Sequence, residues 1–192
     1  MTRKEQILAK ASELFQSKGY SGTSMRDIAS ALDMRSSSLY THIDSKEELL
    51  WELVNEAAQA FLQALAQLPV VEGADERLEH LIHAHLKVVR DNLANATILF
   101  HEWRFLPPEL HQAVVDMRDE YESYFRQAIA DGLAQGIFQT SNVKLASLYI
   151  LSALNWTYHW LKDNDDSTFE DFVQNYVELC LNALGYTPTD NK

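Results

Sequence analysis

Between Ile7 and Leu50 the chain carries a pattern that admits little besides a tight set of short helices. Ile7, Leu8, Ala11, Leu14 and Phe15 recur at i, i+1, i+4, i+7 and i+8, which puts them on one face of a helix. Lys18 and Gly19 follow as a last-turn cation and a left-handed cap that end it. Ser24-Met25-Arg26-Asp27 has the form of a capping box, in which the first and fourth side chains each satisfy the other's backbone amide. It opens a second helix whose apolar side is Ile28, Ala29 and Leu32. After a turn at Asp33-Met34-Arg35 a very short third helix holds Leu39 and Tyr40. Ser45-Lys46-Glu47-Glu48 is a further capping box and starts a fourth helix through Trp51, Val54, Ala57 and Phe61. The second and third helices make a helix-turn-helix, and the small serine-rich helix it presents has dimensions suited to a DNA major groove.

These residues resemble the DNA-binding domain of the TetR family of bacterial transcription regulators. The phrases that carry the resemblance are Ile7-Leu8, Leu14-Phe15, Gly19-Tyr20, Thr23-Ser24, Asp27-Ile28-Ala29, Leu39-Tyr40, His42 and Ser45-Lys46-Glu47, matched without a gap. The resemblance implies an all-α fold of about nine helices. A helix-turn-helix domain would occupy residues 1–47, and a ligand-binding and dimerisation domain residues 48–192. It also implies a role for each residue of the head. Thr23 and Ser24 sit at a helix N-terminus whose free amides suit a phosphate. Arg35, Ser36, Ser37 and Ser38 form the leading edge of the recognition helix, with Arg35 and Ser38 the candidates for base or adjacent backbone contact. Tyr40, Thr41, His42 and Lys46 stand at family positions that touch the DNA backbone or brace the helix. A plainer alternative gives Tyr40 to packing against Leu14 and treats the serines as merely small. Three departures stand out: Asp33 replaces the usual turn glycine, Arg35 the usual Ser cap (so that Ser36 is expected to cap), and Ile43 the usual Phe. Asp tolerates left-handed geometry, so the turn survives.

Charge separates the head from the rest. The chain has 16 basic and 28 acidic side chains; residues 1–50 hold seven of each, and the other 142 residues carry nine and twenty-one, the whole of the −12. DNA binding rests on local Lys and Arg at phosphates, so an acidic body does not exclude it. It argues against a non-specific nucleic-acid coat, which needs a basic face. Four prolines and six glycines leave little room for linkers, and the single Cys180 lies in an apolar helical pattern as a small buried hydrophobe. Thr2-Arg3-Lys4-Glu5 leads directly into an amphipathic helix with no signal peptide, and the uncharged run Leu145 to Leu161 is short for a membrane span; the expected location is cytoplasmic.

The remainder reads as helical. The fourth helix fades near Pro69, and Ala74 to Asn92 repeats Leu78, Leu81, Ile82, His85 and Val89 on one face. A helix from Ala96 to Phe105 stops at Pro107-Pro108, which break it and start the next. That long helix runs from Glu109 to Gln135 with Val114, Met117, Tyr121, Tyr124, Phe125, Ile129 and Leu133 inward, closed by Gly136. Asn142 to Lys162 and Phe169 to Leu184 are the last two, with Ser167 and Glu170 as another capping box. On the penultimate helix Leu145, Leu148, Tyr149, Ser152, Trp156 and Trp160 make one face, and Ile150, Leu154, Thr157 and Leu161 another. A helix apolar nearly all round needs two burial partners. One is its own core. The other is a second copy, since the last helix (Phe172, Val173, Tyr176, Val177, Cys180, Leu181) is also broadly apolar. Such helices pair as a four-helix bundle about a two-fold axis, and two recognition helices ~34–36 Å apart then read a pseudo-palindrome.

Aromatics concentrate in Phe100 to Glu109 and again in Tyr121, Tyr124, Phe125, Tyr149 and Asn155 to Trp160, enough to line an apolar cavity with a few polar handles. The Trp-Arg-x-Leu-Pro-Pro-Glu and Asn-Trp-x-x-x-Trp phrases are similar to a TetR subgroup that responds to acyl-coenzyme A thioesters. That implies Trp103, Tyr121, Phe125, Tyr149 and Trp156 around an acyl group, with Arg104 or Arg118 near its polar end; an unrelated apolar molecule is the competing effector, and ordinary core the competing role. Glu76 with His80 and Glu79 with His83 share helix faces at metal-ligand spacing, yet such patches are commonly solvated, and no metal or other cofactor is expected. No Gly-rich phosphate loop, nucleophile elbow or acid/base pair argues for an enzyme. The expectation is a ligand-controlled repressor with the fourth helix as lever between its domains. An architectural DNA-binding protein with a filled core is the alternative.

Overall fold

Caps and breaks fix where the helices begin and end. The computed structural model describes residues 1–161 and 166–188, with the backbone alone for 166–168. Nine α-helices lie among the described residues: α1 (Arg3–Lys18), α2 (Met25–Ala31), α3 (Ser36–Leu39), α4 (Lys46–Ala66), α5 (Ala74–Asp91), α6 (Leu93–His101), α7 (Pro108–Ala134), α8 (Val143–Asn155) and α9 (Asp166–Ala183). Two 3₁₀ turns, Trp103–Phe105 and Trp156–His159, follow α6 and α8. Thr2 and Glu5 form a capping box, so α1 starts ahead of its first apolar residue. The box at Ser24 forms as read, with the Asp27 amide donating to Ser24 Oγ at 3.2 Å and the Ser24 amide to Asp27 Oδ2 at 2.8 Å. At α4 the Glu48 amide donates to Ser45 Oγ at 3.0 Å, while the Glu48 carboxylate accepts the Asp44 amide at 2.6 Å.

Three details correct the sequence reading. Gly19 has φ 77° and ψ 158°, an extended conformation open only to glycine, in place of the left-handed helical cap. Arg35 is the N-cap of α3 without a side-chain bond, and Ser36 is the first helical residue, so Ser36 does not cap. On α7, Tyr124 and Leu133 face outward, whereas Val114, Tyr121, Phe125 and Ile129 are buried. The α-helical part of α8 ends at Asn155, short of the expected Lys162, and the expected Ser167 capping box rests on a side chain outside the described residues.

The chain packs as two units: Met1–Ala60 with Asn92–Met117, and Phe61–Asp91 with Arg118–Lys192. Residues 1–47 fall wholly in the first. There Ile7, Ala11, Phe15, Ile28, Leu39, Ile43, Leu49 and Leu50 are buried. Helix α6 packs along α1, and Ser12 donates to Asn95 Oδ1 at 2.5 Å. In the second unit α5 is the spine: α9 and α8 both pack on it. Leu78, Ile82, Leu86, Phe125, Ile129, Ile150, Leu154 and Phe169 fill the core, each such side chain contributing about 1.5–3 kcal/mol by leaving water.

Helix α8 divides as its sequence implies. Ile150, Leu154, Thr157 and Leu161 are buried, while Leu145 (63% exposed), Leu148, Tyr149 (62%), Trp156 (51%) and Trp160 face solvent. The helix tightens to 3₁₀ after Asn155, where the Thr157 hydroxyl donates to the Leu154 carbonyl at 2.6 Å.

Candidate functional site

Tyr20 anchors the reading head. Its buried ring meets Phe15 edge-on at 5.2 Å and stacks on Phe105 at 5.5 Å with 22° between planes. The Lys46 ammonium lies 4.0 Å from its centroid, a cation–π contact. Its hydroxyl donates to Glu47 Oε1 at 3.2 Å, and burial beside that carboxylate pushes the phenol up to about 12. Lys46 Nζ also donates to the carbonyls of Tyr20 and Thr23, at 3.0 and 2.9 Å. Thr23 is 2% exposed, with its hydroxyl 3.0 Å from the Gly19 carbonyl and 3.3 Å from that of Leu14. The Thr23 side chain is therefore turned inward, its hydroxyl bonded to carbonyls where α1 ends. Lys46 is a brace.

These braces frame an open concavity of about 500 Å³, lined by Ser21, Gly22, Thr23, Ser24, Met25, Arg26, Asp27, Tyr40 and Lys46. Four of the ten expected DNA-binding residues (Thr23, Ser24, Tyr40 and Lys46) meet there. Ser24's hydroxyl and amide both bond Asp27 and hold its carboxyl below the usual range. Arg26, exposed on the same rim, was missed by sequence reasoning; the available signal was a cation inside a capped first turn. Around α3 the side chains of Arg35, Ser37, Ser38, Tyr40, Thr41 and His42 are exposed, and Ser36 is half-buried. The Thr41 hydroxyl donates to the Ser38 carbonyl at 2.7 Å. The outward set offers two guanidinium groups, a phenol, an imidazole and several hydroxyls, donors matched to phosphates and base edges.

The residues expected around an effector are divided between the two units. Trp103 and Arg104 belong to the first unit: Trp103 meets His111 at 5.6 Å, and the exposed Arg104 guanidinium lies 5.3 Å over Phe105. Tyr121 and Phe125 are buried in the second unit, 5.6 Å apart, together with Phe61 and His85. Phe61 lies 4.9 Å from the His85 ring and 5.5 Å from Tyr121. His85 Nδ1 and the Tyr121 hydroxyl share a hydrogen bond of 3.1 Å. Burial drives the His85 imidazole down to about 3 and the Tyr121 phenol upward, so both are neutral at ordinary pH. Sequence reasoning placed His85 on the apolar stripe of α5 and gave it no part in the effector site. Tyr149 and Trp156 are on the outward face of α8 and its 3₁₀ turn, because helix periodicity turns them away as Ile150 and Leu154 turn in. Arg118 is exposed. His83 lies 3.4 Å from Glu170, but among the described residues no three His, Cys, Asp or Glu side chains are placed to hold a metal ion. No described helix is long and apolar enough to cross a membrane.

Residues 7–53 match the family model for bacterial regulatory proteins, tetR family, and residues 71–184 that for the tetracyclin repressor-like C-terminal domain. The chain is 24% identical over 186 residues to the HTH-type transcriptional repressor KstR2 of Rhodococcus jostii (strain RHA1), spanning 95% of this chain and 91% of that one. A solved tetR-family regulatory protein from Rhodococcus RHA1 superposes with a TM-score of 0.88 at 29% identity, over 98% of this chain and all of the other. AibR, solved in complex with isovaleryl coenzyme A and operator DNA, gives 0.81 at 26% identity over 93% and 97%. Both family models fit, the second over more than half of the chain, and the chain belongs to the TetR family of bacterial transcriptional regulators.

Proposed function

We propose that the chain is a homodimeric, operator-binding repressor whose larger domain, residues 48–192, takes an acyl-coenzyme A thioester. The observation that carries the effector is the neutral His85–Tyr121 pair, set among Phe61 and Phe125 inside the second unit. An apolar surround with one uncharged donor–acceptor pair suits a chain bearing a neutral carbonyl, and it disfavours a free carboxylate. The likeness to AibR, whose complex contains isovaleryl coenzyme A, favours the same class. Tyr121 and Phe125 contact the acyl group, and Arg118 serves its polar end. Trp103 and Arg104 sit in the other unit and do not define this core.

In the head over residues 1–47, Ser24, Arg35, Ser36, Ser37, Ser38, Tyr40, Thr41 and His42 face the duplex, while Thr23 and Lys46 hold the start of α2. The dimer forms through α8 and α9. Support comes from the outward stripe Leu145, Leu148, Tyr149, Trp156 and Trp160 and from Leu179 on α9, large apolar side chains whose exposure marks a protein–protein surface. The effector shifts the population toward dimers whose heads no longer match the half-site spacing. Native mass spectrometry with a panel of acyl-coenzyme A thioesters tests the reading. A dimer carrying one thioester per subunit is expected. A dimer that ignores every thioester removes the effector class, and a monomer removes the two-fold reading of DNA.

A further inference from the structure

We infer that Phe105 is a positioning residue for DNA binding: its ring holds Tyr20, Tyr20 holds Lys46, and Lys46 fixes the backbone from which α2 starts. The inference rests on the DNA-binding reading of the head. Phe105 lies far along the chain from that head, in the 3₁₀ turn between α6 and α7, yet it packs in the same unit. Burial does not explain it, since 40% of its surface stays in solvent. What it has is a near-parallel stack on Tyr20.

The turn is built to hold that ring still. The Phe105 amide donates to the Glu102 carbonyl at 2.9 Å and the Leu106 amide to that of Trp103 at 3.0 Å. His111 Nε2 bonds the Leu106 carbonyl at 2.8 Å, and Pro107-Pro108 restrict the chain that follows. From Tyr20 the contacts continue without a break. The Lys46 ammonium rests on the Tyr20 ring and donates to the carbonyls of Tyr20 and Thr23. Thr23 precedes Ser24, the N-cap of α2, and both line the concavity with Arg26 and Tyr40. A displaced Tyr20 therefore moves the groups that meet DNA, whereas loss of a simple filler would lower stability alone.

The test combines Phe105→Leu, which keeps an apolar side chain but removes the ring, with Phe105→Tyr, which restores it. The probe is the duplex that wild-type protein enriches from a randomised library. Phe105→Leu is expected to weaken binding about three- to tenfold, with the melting temperature little changed, and Phe105→Tyr to recover it. Adding Phe105→Leu to Lys46→Gln is expected to cost less than the product of the two single losses, because both break one chain of contacts. Wild-type affinity in Phe105→Leu, or strictly multiplicative losses, overturns the inference. Amide NMR provides a readout independent of DNA: Phe105→Leu shifts the Thr23 and Ser24 signals, and Lys46→Gln shifts the Phe105 ring protons. Ring protons blind to Lys46→Gln overturn the inference even if Phe105→Leu does not fold. If wild-type protein enriches no duplex, the DNA-binding reading has failed, and the NMR arms alone decide the coupling.

Discussion

At Asp33 the backbone takes a φ of 52°, a region where a side chain meets steric cost and glycine does not. The position is forced by the end of α2: the Met34 amide bonds the Ala29 carbonyl at 2.9 Å and the Asp33 amide that of Ser30 at 3.2 Å, the paired bonds of a Schellman turn. Asp33→Gly is therefore expected to stabilise the protein by about 0.5–1 kcal/mol, seen as a rise of about 2 °C in melting temperature. An unchanged or lower melting point counts against the strain. His85 gives a pH dependence of definite sign. Its folded value of about 3 lies below the usual 6.5, so from pH 6.5 down to about 3 the unfolded chain binds a proton that the folded chain refuses. Stability from this group is complete above pH 6.5 and falls with acidification by up to about 1.4 kcal/mol per pH unit. His85→Gln, which keeps a partner for Tyr121 without titrating, should flatten that slope in urea unfolding followed across the range. The Ser24 capping box was legible because such a box is a local contract between residues three apart. The partners of Lys46 were not, because the Tyr20 ring and the carbonyls of Tyr20 and Thr23 come from more than twenty residues earlier in the chain.

Among the helices, α7 contains a glycine where propensity alone predicts a gain from alanine. Ala is favoured over Gly in a helix by about 1 kcal/mol. A Cβ on Gly132, however, would lie 2.0 Å from Cδ2 of Phe138, whose ring is 1% exposed and has nowhere to go. Overpacking of that kind costs about 1–3 kcal/mol, so Gly132→Ala is expected to lower stability by about 1–2 kcal/mol. The second substitution Phe138→Leu should then cost less than it does alone. Chemical unfolding of the single and double variants checks both, and a stabilised Gly132→Ala would refute the contact. The same scale shows what periodicity delivers. Pro107-Pro108 and Gly136 marked both ends of α7, since a missing amide and a positive φ act wherever they occur. The inward and outward faces of α8 followed from its spacing alone. The two 3₁₀ turns did not, because their apolar residues continue the helical period and only backbone bonds three residues apart, such as the Trp160 amide to the Thr157 carbonyl at 2.9 Å, mark the tighter coil. Tyr124 and Leu133 were misplaced for a related reason: a long helix meets different neighbours along its length, and one stripe cannot describe them all.

For the whole molecule, the consequence that matters most is assembly. Leu145, Tyr149, Trp156 and Trp160 expose large apolar side chains on one side of α8 and its continuation, an exposure that marks an interaction surface. In the proposed dimer a second copy supplies a matching stripe by symmetry, and the two-fold axis would bring two heads to two half-sites. Tyr149→Arg puts a cation into that stripe without disturbing the chain's own core, since the side chain is already 62% exposed. It is expected to sediment as a folded monomer whose melting temperature no longer rises with concentration, as that of an associating protein does. The effect on DNA separates assembly from fold. Each head neutralises its own phosphates, so the slope of log affinity against log salt should fall toward half of the wild-type value when one head acts alone. A Tyr149→Arg protein that stays dimeric places the interface elsewhere. One that is monomeric yet keeps the full salt slope shows that the two heads never bound together.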